Sequence, residues 1–307
     1  MSSGGRSGSS YSNKDIEAIR KVAAQRLEQR QVDAEVNSLL QQELATISDR
    51  DVEKVNTRLD RIRDSLGLDV GEIDRLTFGG SVAKHTYVDG LSDTDALLHI
   101  RGDSADLSPE EVRNRIKDAL DARLPRGEID SIDAGKMAVT VRYRDGQEIQ
   151  LVPVVDRARD QISVSDPSGT NWSDPVDARA FTGSLSAANE RQGGMVVPII
   201  KLAKAIFDNR LGNDAPAGYH VEALAVDAFS RYEGPRTHKA MLSYFLREAR
   251  DGVLRPVRDV TGQSVNIDAA LGPENSDARR TLSRKIESIS RVAESTQSLQ
   301  QWRELLD

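Results

Sequence analysis

Two glycines and a serine stand together at Gly79, Gly80 and Ser81, where the pattern of a short strand gives way to that of a helix. Glycines at such a junction let a ligand approach the backbone closely, and the free amides of a first helical turn attract anions. A phosphate group would suit this position. A Gly-Gly turn with a purely structural role explains the same residues equally well, so this segment predicts a phosphate site only in combination with others.

Two acidic residues, Asp93 and Asp95, are separated by Thr94 and lead into an apolar strand that ends at Ile100. Side chains two apart on a strand point to the same face, so both carboxylates could bind one cluster of hard cations such as Mg²⁺ or Mn²⁺. An exposed turn at the start of a strand would have the same composition. Together with the upstream glycines and serine, the acids favour a metal site that shares its ions with substrate phosphates.

These residues must be positioned by a mixed α/β region in the middle of the chain. Between about residues 73 and 155, short apolar runs are separated by turn signals and by one helical stretch over 109–124. Residues 139–143 and 148–152 alternate as the two strands of a hairpin, and Asp145-Gly146 between them predicts a type I′ turn.

Helical spacing of apolar residues dominates the rest of the chain, over 15–66 and beyond residue 196. After the mixed α/β region, residues 157–194 are predicted to form a long polar loop followed by a short helix. We therefore expect three parts: a disordered Gly/Ser-rich tail, a mixed α/β region with N-terminal helices, and a helical C-terminal lobe. Their predicted bounds are 1–13, 14–160 and 161–307.

Composition limits the classes of protein that the chain can represent. With 307 residues and 38% hydrophobic content, it can bury one large core or two modest ones. Its net charge of -7 argues against a surface that grips long nucleic acid. It has no cysteine and four scattered histidines, so a metal should be bound by oxygen. The sequence has no apolar run long enough to span a membrane, and we expect a cytoplasmic protein.

Several of these motifs resemble one known superfamily. Gly80-Ser81, Thr86 and Ser92-Asp93-Thr94-Asp95 resemble the signature of polymerase-β-like nucleotidyltransferases. Four further motifs, in order, resemble the C-terminal half of bacterial CD-NTases, the oligonucleotide cyclases of antiphage defence that are akin to cGAS and DncV. These motifs are Trp172 with Asp174-Pro175, residues 198–204, residues 218–224 and residues 258–262.

The resemblance covers roughly residues 70–295 and implies an α/β plus α fold. The mixed sheet would be a polymerase-β-like palm with N-terminal helices, faced by a helical C-terminal lobe, and the nucleotide would lie between the two. In that fold Gly80 and Ser81 would bind the β- and γ-phosphates of a nucleoside triphosphate, while Asp93 and Asp95 would hold two Mg²⁺ ions.

The resemblance also implies that a lysine of the helix facing the cleft contacts the triphosphate. Lys201 is the first candidate and Lys204, one turn away, is the second. A solvated helix face would explain both lysines as well. The remaining residues predicted to bind the nucleotide are Gly79, Thr86 and Tyr219.

One position departs from the family pattern. The family carries a third carboxylate in the pattern acid, apolar residue, Val-Pro, whereas this chain has Gln150 before Leu151, Val152 and Pro153. An amide oxygen can bind Mg²⁺ but adds no negative charge. Glu148 points to the same face of the strand, about 7 Å away, and could substitute. The chain could thus be active through Glu148 or another acid, active on an unusual acceptor, or a weakened enzyme.

Three functions follow. The first is synthesis of a short cyclic or linear oligonucleotide signal from nucleoside triphosphates, with a nucleotide-sensing effector protein as the expected partner. The second is untemplated polymerisation, of deoxynucleotides or primed on a protein hydroxyl; the tail offers Ser9, Ser10, Tyr11 and Ser12, although a tail without function explains those residues too. The third is a nucleotide-binding sensor that has lost turnover.

Overall fold

The computed structural model describes residues 13–49, 52–67, 73–89, 94–100, 106–261, 265–295 and 298–307. Its strands are β1 (Ile73–Phe78), β2 (Thr94–Ile100), β3 (Ile129–Ala134), β4 (Val139–Tyr143), β5 (Glu148–Asp156) and β6 (Ile162–Ser163). They form one sheet in the order β1-β2-β5-β4-β3, and β6 pairs with the end of β5. Among the strands that the structure describes, β2 and β5 run parallel, and the other neighbouring pairs are antiparallel.

One face of this sheet is apolar because alternate residues of each strand point to the same side. On β2, Ala96, Leu98 and Ile100 are fully buried. Helices α2 (Val52–Leu66) and α4 (Pro109–Arg123) cover them, and their apolar residues join the same core cluster. The opposite face carries Asp95, Leu97 and His99, and it is this face that the candidate site occupies.

Helix α4 begins where its sequence predicts. Ser108 is extended, and its side chain accepts a hydrogen bond from the amide of Glu111, while the Glu111 carboxylate accepts one from the Ser108 amide. Proline at the first helical position needs no amide partner, so Pro109 fits there. The predicted stretch of 109–124 is confirmed to within one residue.

The hairpin of β4 and β5 is confirmed, but its predicted type I′ turn is wrong. That turn needs positive φ at both central residues, and among Arg144, Asp145 and Gly146 only the glycine has it, at 88°. The Gly146 amide donates to the Tyr143 carbonyl and the Tyr143 amide donates to the Gln147 carbonyl, both at 2.9 Å. The loop is therefore one residue longer, with a left-handed glycine as its closing bulge.

The remaining helices form a second core. They are α1 (Asn13–Ile47), α5 (Ala180–Arg191), α6 (Val196–Leu211), α7 (Gly218–Phe229), α8 (His238–Gly252), α9 (Asp277–Ser295) and α10 (Leu299–Leu306). Helices α6 to α10 confirm the helical spacing predicted beyond residue 196. None of the helices in the described ranges is long and apolar enough to cross a membrane.

The two N-terminal helices pack in different cores. Helix α2 braces the sheet, as predicted, whereas Val36 and Leu40 of α1 are fully buried in the cluster that contains α6, α8 and α10. The proposed boundary at residue 160 stays a prediction, and the predicted tail lies outside the described residues except for its last residue, Asn13.

Candidate functional site

A cavity of about 1030 Å³ lies over the polar face of β1, β2 and β5. Leu97 and Val152 form an apolar part of its floor, and the glycine turn after β1 lies on its wall. Phe181 of α5 and Tyr219 of α7 close it from the helical side. The cavity therefore lies between the sheet and the C-terminal helices, where the sequence predicts the nucleotide.

The glycine turn contacts Asp95 directly. The Gly79 amide donates to the Asp95 carbonyl at 2.9 Å, and Gly80 has a φ of 49°. A Cβ atom at Gly80 would lie 1.5 Å from Oδ2 of Asp95, so only glycine leaves room for this carboxylate. The predicted proximity of the turn and Asp95 is thus observed. Asp93 lies outside the described residues, so its place on the same face stays a prediction.

The helix after this turn is shorter than the sequence suggests. Helix α3 (Gly80–Ala83) is a single turn, and Ser81 within it is half-buried. A single turn sums few peptide dipoles, so its attraction for an anion is weak. Positive charge at this end of the cavity must therefore come mainly from side chains.

Gln150 lies beside Asp95. The two residues are register partners of the parallel strands β2 and β5, so their side chains share the polar face of the sheet. Neighbouring strands are about 4.8 Å apart, which is within reach of a shared cation. The structure therefore places the side chain of Gln150 next to that of Asp95.

Glu148, the suggested substitute, is already engaged. Its Oε1 accepts a hydrogen bond from Nε of Arg142 at 2.6 Å. Arg142 on β4 also donates to Asp133 on β3 at 2.6 Å, so the three side chains form a chain of ion pairs across the sheet. At least one oxygen of Glu148 is thus committed to this arginine and not to a cation next to Gln150.

Lys204 is buried and does not line the cavity. Its Nζ donates to Oε1 of Glu222 at 2.7 Å and to the carbonyl and hydroxyl of Thr86 at 3.2 and 3.3 Å. Burial lowers the pKa of Lys204, and the Glu222 carboxylate opposes that shift. Thr86 is itself fully buried and donates its hydroxyl to Glu222 at 2.5 Å. The structure thus gives Thr86 and Lys204 a common partner that sequence reasoning missed.

Lys201 points elsewhere. Its Nζ donates to Oγ of Ser48 at 3.0 Å, just beyond the end of α1. Burial, followed by the charge of Lys204, lowers the pKa of Lys201. The predicted contact of Lys201 with a triphosphate would require this side chain to leave Ser48.

Tyr219 forms an aromatic wall of the cavity. Its ring meets that of Phe181 edge to face, with centroids 4.4 Å apart. Its hydroxyl donates to Oδ1 of Asp259 at 3.4 Å, and burial together with this carboxylate raises the pKa of Tyr219 above its usual range. The phenol therefore stays neutral near pH 7 and offers a flat ring edge and face to a bound base.

A polar group on the cavity floor was also missed from the sequence. His99 lies between Thr77 and Asp156, with Nε2 3.0 Å from the threonine hydroxyl and Nδ1 2.6 Å from the carboxylate. Arg75 donates to the same carboxylate at 3.3 Å. Because His99 is four residues after Asp95 on one strand, the period of two could have placed it on the same face.

The donors at the glycine turn fit the predicted Mg²⁺ ion. Asp95 supplies a carboxylate and Gln150 an amide oxygen, and hard cations prefer such oxygen ligands. Within the described ranges, no cluster of three or more His, Asp or Glu side chains has metal-binding geometry. Asp93, the other predicted ligand, lies outside those ranges.

The fold of the chain is similar to those of solved CD-NTases. CdnG of Bradyrhizobium diazoefficiens, in complex with GTP, aligns with a TM-score of 0.68 and 16% identity over 88% of this chain and 94% of that one. CdnC of E. coli MS115-1 with ATP aligns with a TM-score of 0.67 and 14% identity, over 90% of this chain and 98% of that one. The di-nucleotide cyclase DncV of Vibrio cholerae with GTP aligns with a TM-score of 0.62 and 12% identity, over 95% of this chain and 88% of that one.

No protein-family model matches the sequence, and no curated protein is similar to it. The similarity therefore rests on structure, and at these identities it shows the fold. The predicted palm-like sheet with a helical C-terminal lobe is confirmed: the chain has the fold of the CD-NTases.

Proposed function

We propose that this protein is a Mg²⁺-dependent nucleotidyltransferase that joins ribonucleotides into a short cyclic or linear oligonucleotide. The observation that carries this proposal is the contact between the backbone of Gly80, which lines the cavity, and the Asp95 carboxylate, with Gln150 beside that carboxylate. A phosphate-binding turn next to cation ligands is what phosphoryl transfer requires.

In this proposal the chain positions two nucleotides. Gly79, Gly80 and Ser81 hold the triphosphate of the donor, and Tyr219 packs against its base. A hydroxyl oxygen of the acceptor attacks the α-phosphorus, the bond to the bridging oxygen of the β-phosphate breaks, and pyrophosphate leaves while the hydroxyl proton passes to water. Bound Mg²⁺ would supply positive charge to the phosphate oxygens. Asp95 and Gln150, with Asp93, are the proposed ligands.

The similar structures support a nucleotide ligand. The CdnG structure contains GTP, the CdnC structure contains ATP, and the DncV structure is that of a di-nucleotide cyclase with GTP. The role in antiphage defence and the effector that would sense the product are part of our proposal, on the basis of the motif resemblance.

Mass spectrometry of products made from all four NTPs and all four dNTPs with Mg²⁺ tests the proposal. We expect small soluble oligonucleotides and pyrophosphate, and we expect Asp95→Asn to abolish both. The matched control is Asp121→Asn, an exposed acid on α4 that pairs with Lys117. Equal turnover by Asp95→Asn would show that the site is assigned wrongly. Nucleotides that stay attached to the denatured protein would instead indicate protein-primed polymerisation. The predicted acceptors for that reaction lie outside the described residues.

A nucleotide sensor without turnover is the second candidate, and two observations favour it. The motif position of the third acid holds an amide in this sequence, Gln150, which lies beside Asp95, and Glu148 is bound by Arg142. A sensor would bind a nucleoside triphosphate in the presence of Mg²⁺ and release no pyrophosphate with any of the eight nucleotides. Pyrophosphate release that depends on Asp95 would exclude it.

A further inference from the structure

Three charged side chains meet behind the glycine turn. Glu222 of α7 is 1% exposed and uses both carboxylate oxygens: Oε2 accepts from Lys84, and Oε1 accepts from Lys204 of α6 and from Thr86. Lys84 directly follows α3, so the cluster joins the glycine turn to two helices of the C-terminal lobe. These contacts fix the position of both ammonium groups relative to the cavity.

The charges of this cluster do not cancel. Two ammonium groups face one carboxylate, and a buried excess of positive charge is unfavourable unless an anion meets it. A second acid, Asp95, also acts on Lys204, because its charge raises the pKa of that lysine. Asp95 is also the proposed cation ligand, so when a divalent ion occupies it the positive excess grows. The cluster is then suited to a strongly anionic ligand.

Of the two lysines, Lys84 is the one that faces the cavity. Its side chain is 11% exposed and lines the cavity wall, whereas Lys204 is enclosed by Thr86 and Glu222. The Nζ atom of Lys84 lies 5.0 Å from the centroid of the Tyr219 ring and 5.3 Å from that of the Phe181 ring. It is therefore located between the glycine turn and the aromatic wall.

Lysine also has the donors that a second partner needs. An ammonium group carries three N–H bonds, and one of them serves Glu222, so Lys84 can donate to a phosphate oxygen without leaving that carboxylate. The single turn of α3 offers little dipole, so a side-chain cation has to neutralise a phosphate chain here.

We infer that Lys84 binds the polyphosphate of the nucleoside triphosphate and that Glu222 is a positioning residue that holds Lys84 and Lys204 beside the glycine turn. This inference rests on the proposed function, because it assumes that the ligand is a triphosphate. It assigns to Lys84 the contact that the sequence predicts for Lys201, whose Nζ is bonded to Ser48. Glu222 acts through the two lysines and touches no substrate.

Calorimetry with Mg²⁺, a non-hydrolysable ATP or GTP analogue and the matching monophosphate tests the inference. The ratio of the two dissociation constants isolates the contribution of the distal phosphates. We expect Lys84→Met to weaken binding of the triphosphate by about 10- to 100-fold, the value of one charge-assisted hydrogen bond, and to leave the monophosphate unchanged. Lys84→Arg should restore most of the preference. Glu222→Gln should also reduce the preference for the triphosphate over the monophosphate, and circular dichroism checks that this variant is folded.

The matched control is Lys239→Met, since Lys239 is 16% exposed and pairs with Asp33 on α1, away from the cavity. We expect this variant to keep the full triphosphate preference. If Lys84→Met keeps it too, or weakens both ligands equally, the role of Lys84 is overturned while the proposed function stands. If the wild-type protein binds neither triphosphate, the proposed function fails and this inference with it.

Discussion

Replacing Gly80 by alanine tests the contact on which the site depends. The new Cβ would lie 1.5 Å from Oδ2, 2.5 Å from Cγ and 3.0 Å from Cβ of Asp95, so the carboxylate must rotate away from the turn. A left-handed residue with a side chain costs roughly 1–2 kcal/mol, and forcing an extra methyl into a filled space costs about 1–3 kcal/mol more. We therefore expect Gly80→Ala to lose about 2–5 kcal/mol of unfolding free energy and all nucleotide transfer.

Gly146 provides the matched control for the backbone term. It has a φ of 88°, and nothing lies within 4 Å of the Cβ that an alanine would add. Gly146→Ala should therefore cost only about 1–2 kcal/mol and leave nucleotide transfer intact. Urea unfolding of both variants, followed by circular dichroism, gives the two free energies.

A double-mutant cycle with Asp95→Ala then isolates the clash. This variant removes the carboxylate atoms at 1.5 and 2.5 Å, so Gly80→Ala should cost about 1–3 kcal/mol less in its presence. If Gly80→Ala costs no more than Gly146→Ala, or if its cost is the same with and without Asp95, then the turn and the carboxylate are not in contact and our account of the site is wrong.

Three further expectations follow from the described contacts. Gln150→Asp should raise the initial rate of nucleotide transfer, by about 10-fold if one charge-assisted contact is gained; a complete loss of activity would show that the amide has a role of its own. Arg279→Met should cost about 3–5 kcal/mol in urea unfolding, because it strands the buried Asp268 carboxylate, which Arg279 meets at 2.6 Å; a cost below about 1 kcal/mol would contradict this. Burial alone would raise the pKa of Asp268, but hydrogen bonds from Arg279 and the Val257 amide lower it below its ordinary value. The stabilisation from a lowered pKa is present above the unfolded value of about 3.9 and is lost as the pH falls through the folded value. The free energy of unfolding should therefore drop as the pH falls below about 4, and it should drop less in Asp268→Asn.

The sequence predicts those parts of the fold whose signals are local. Helix α4 carries its own start signal in Ser108, Pro109 and Glu111, and the alternation in β4 and β5 specifies a hairpin. The same alternation predicts that Gln150 and Glu148 share a face, and the parallel register then brings Gln150 beside Asp95. Gly80 beside Asp95 was predicted from motif order, and the close approach of the two explains why that motif contains a glycine.

Features that depend on distant partners could not be predicted in this way. Strand β3 has the sequence of an acidic surface segment, and it forms because β4 offers it a partner at the sheet edge. Glu222 reads as one more polar residue of a helix until α7 folds against Lys84, which is 138 positions away. The choice between Lys84, Lys201 and Lys204 likewise depends on where Ser48 and Glu222 lie, and helical spacing carries no information about that.

The packing of α1 sets the order in which the chain can assemble during synthesis. Val36 and Leu40 are buried against helices that include α6, α8 and α10, and α10 begins only at Leu299. At about 5–20 residues per second, a ribosome needs well over ten seconds to make the roughly 260 residues that separate α1 from its last partner. The sheet, whose strands all precede residue 164, can be complete long before then. Helix α1 is thus made long before α10, so part of its apolar face stays exposed in a nascent chain until α10 has been synthesised.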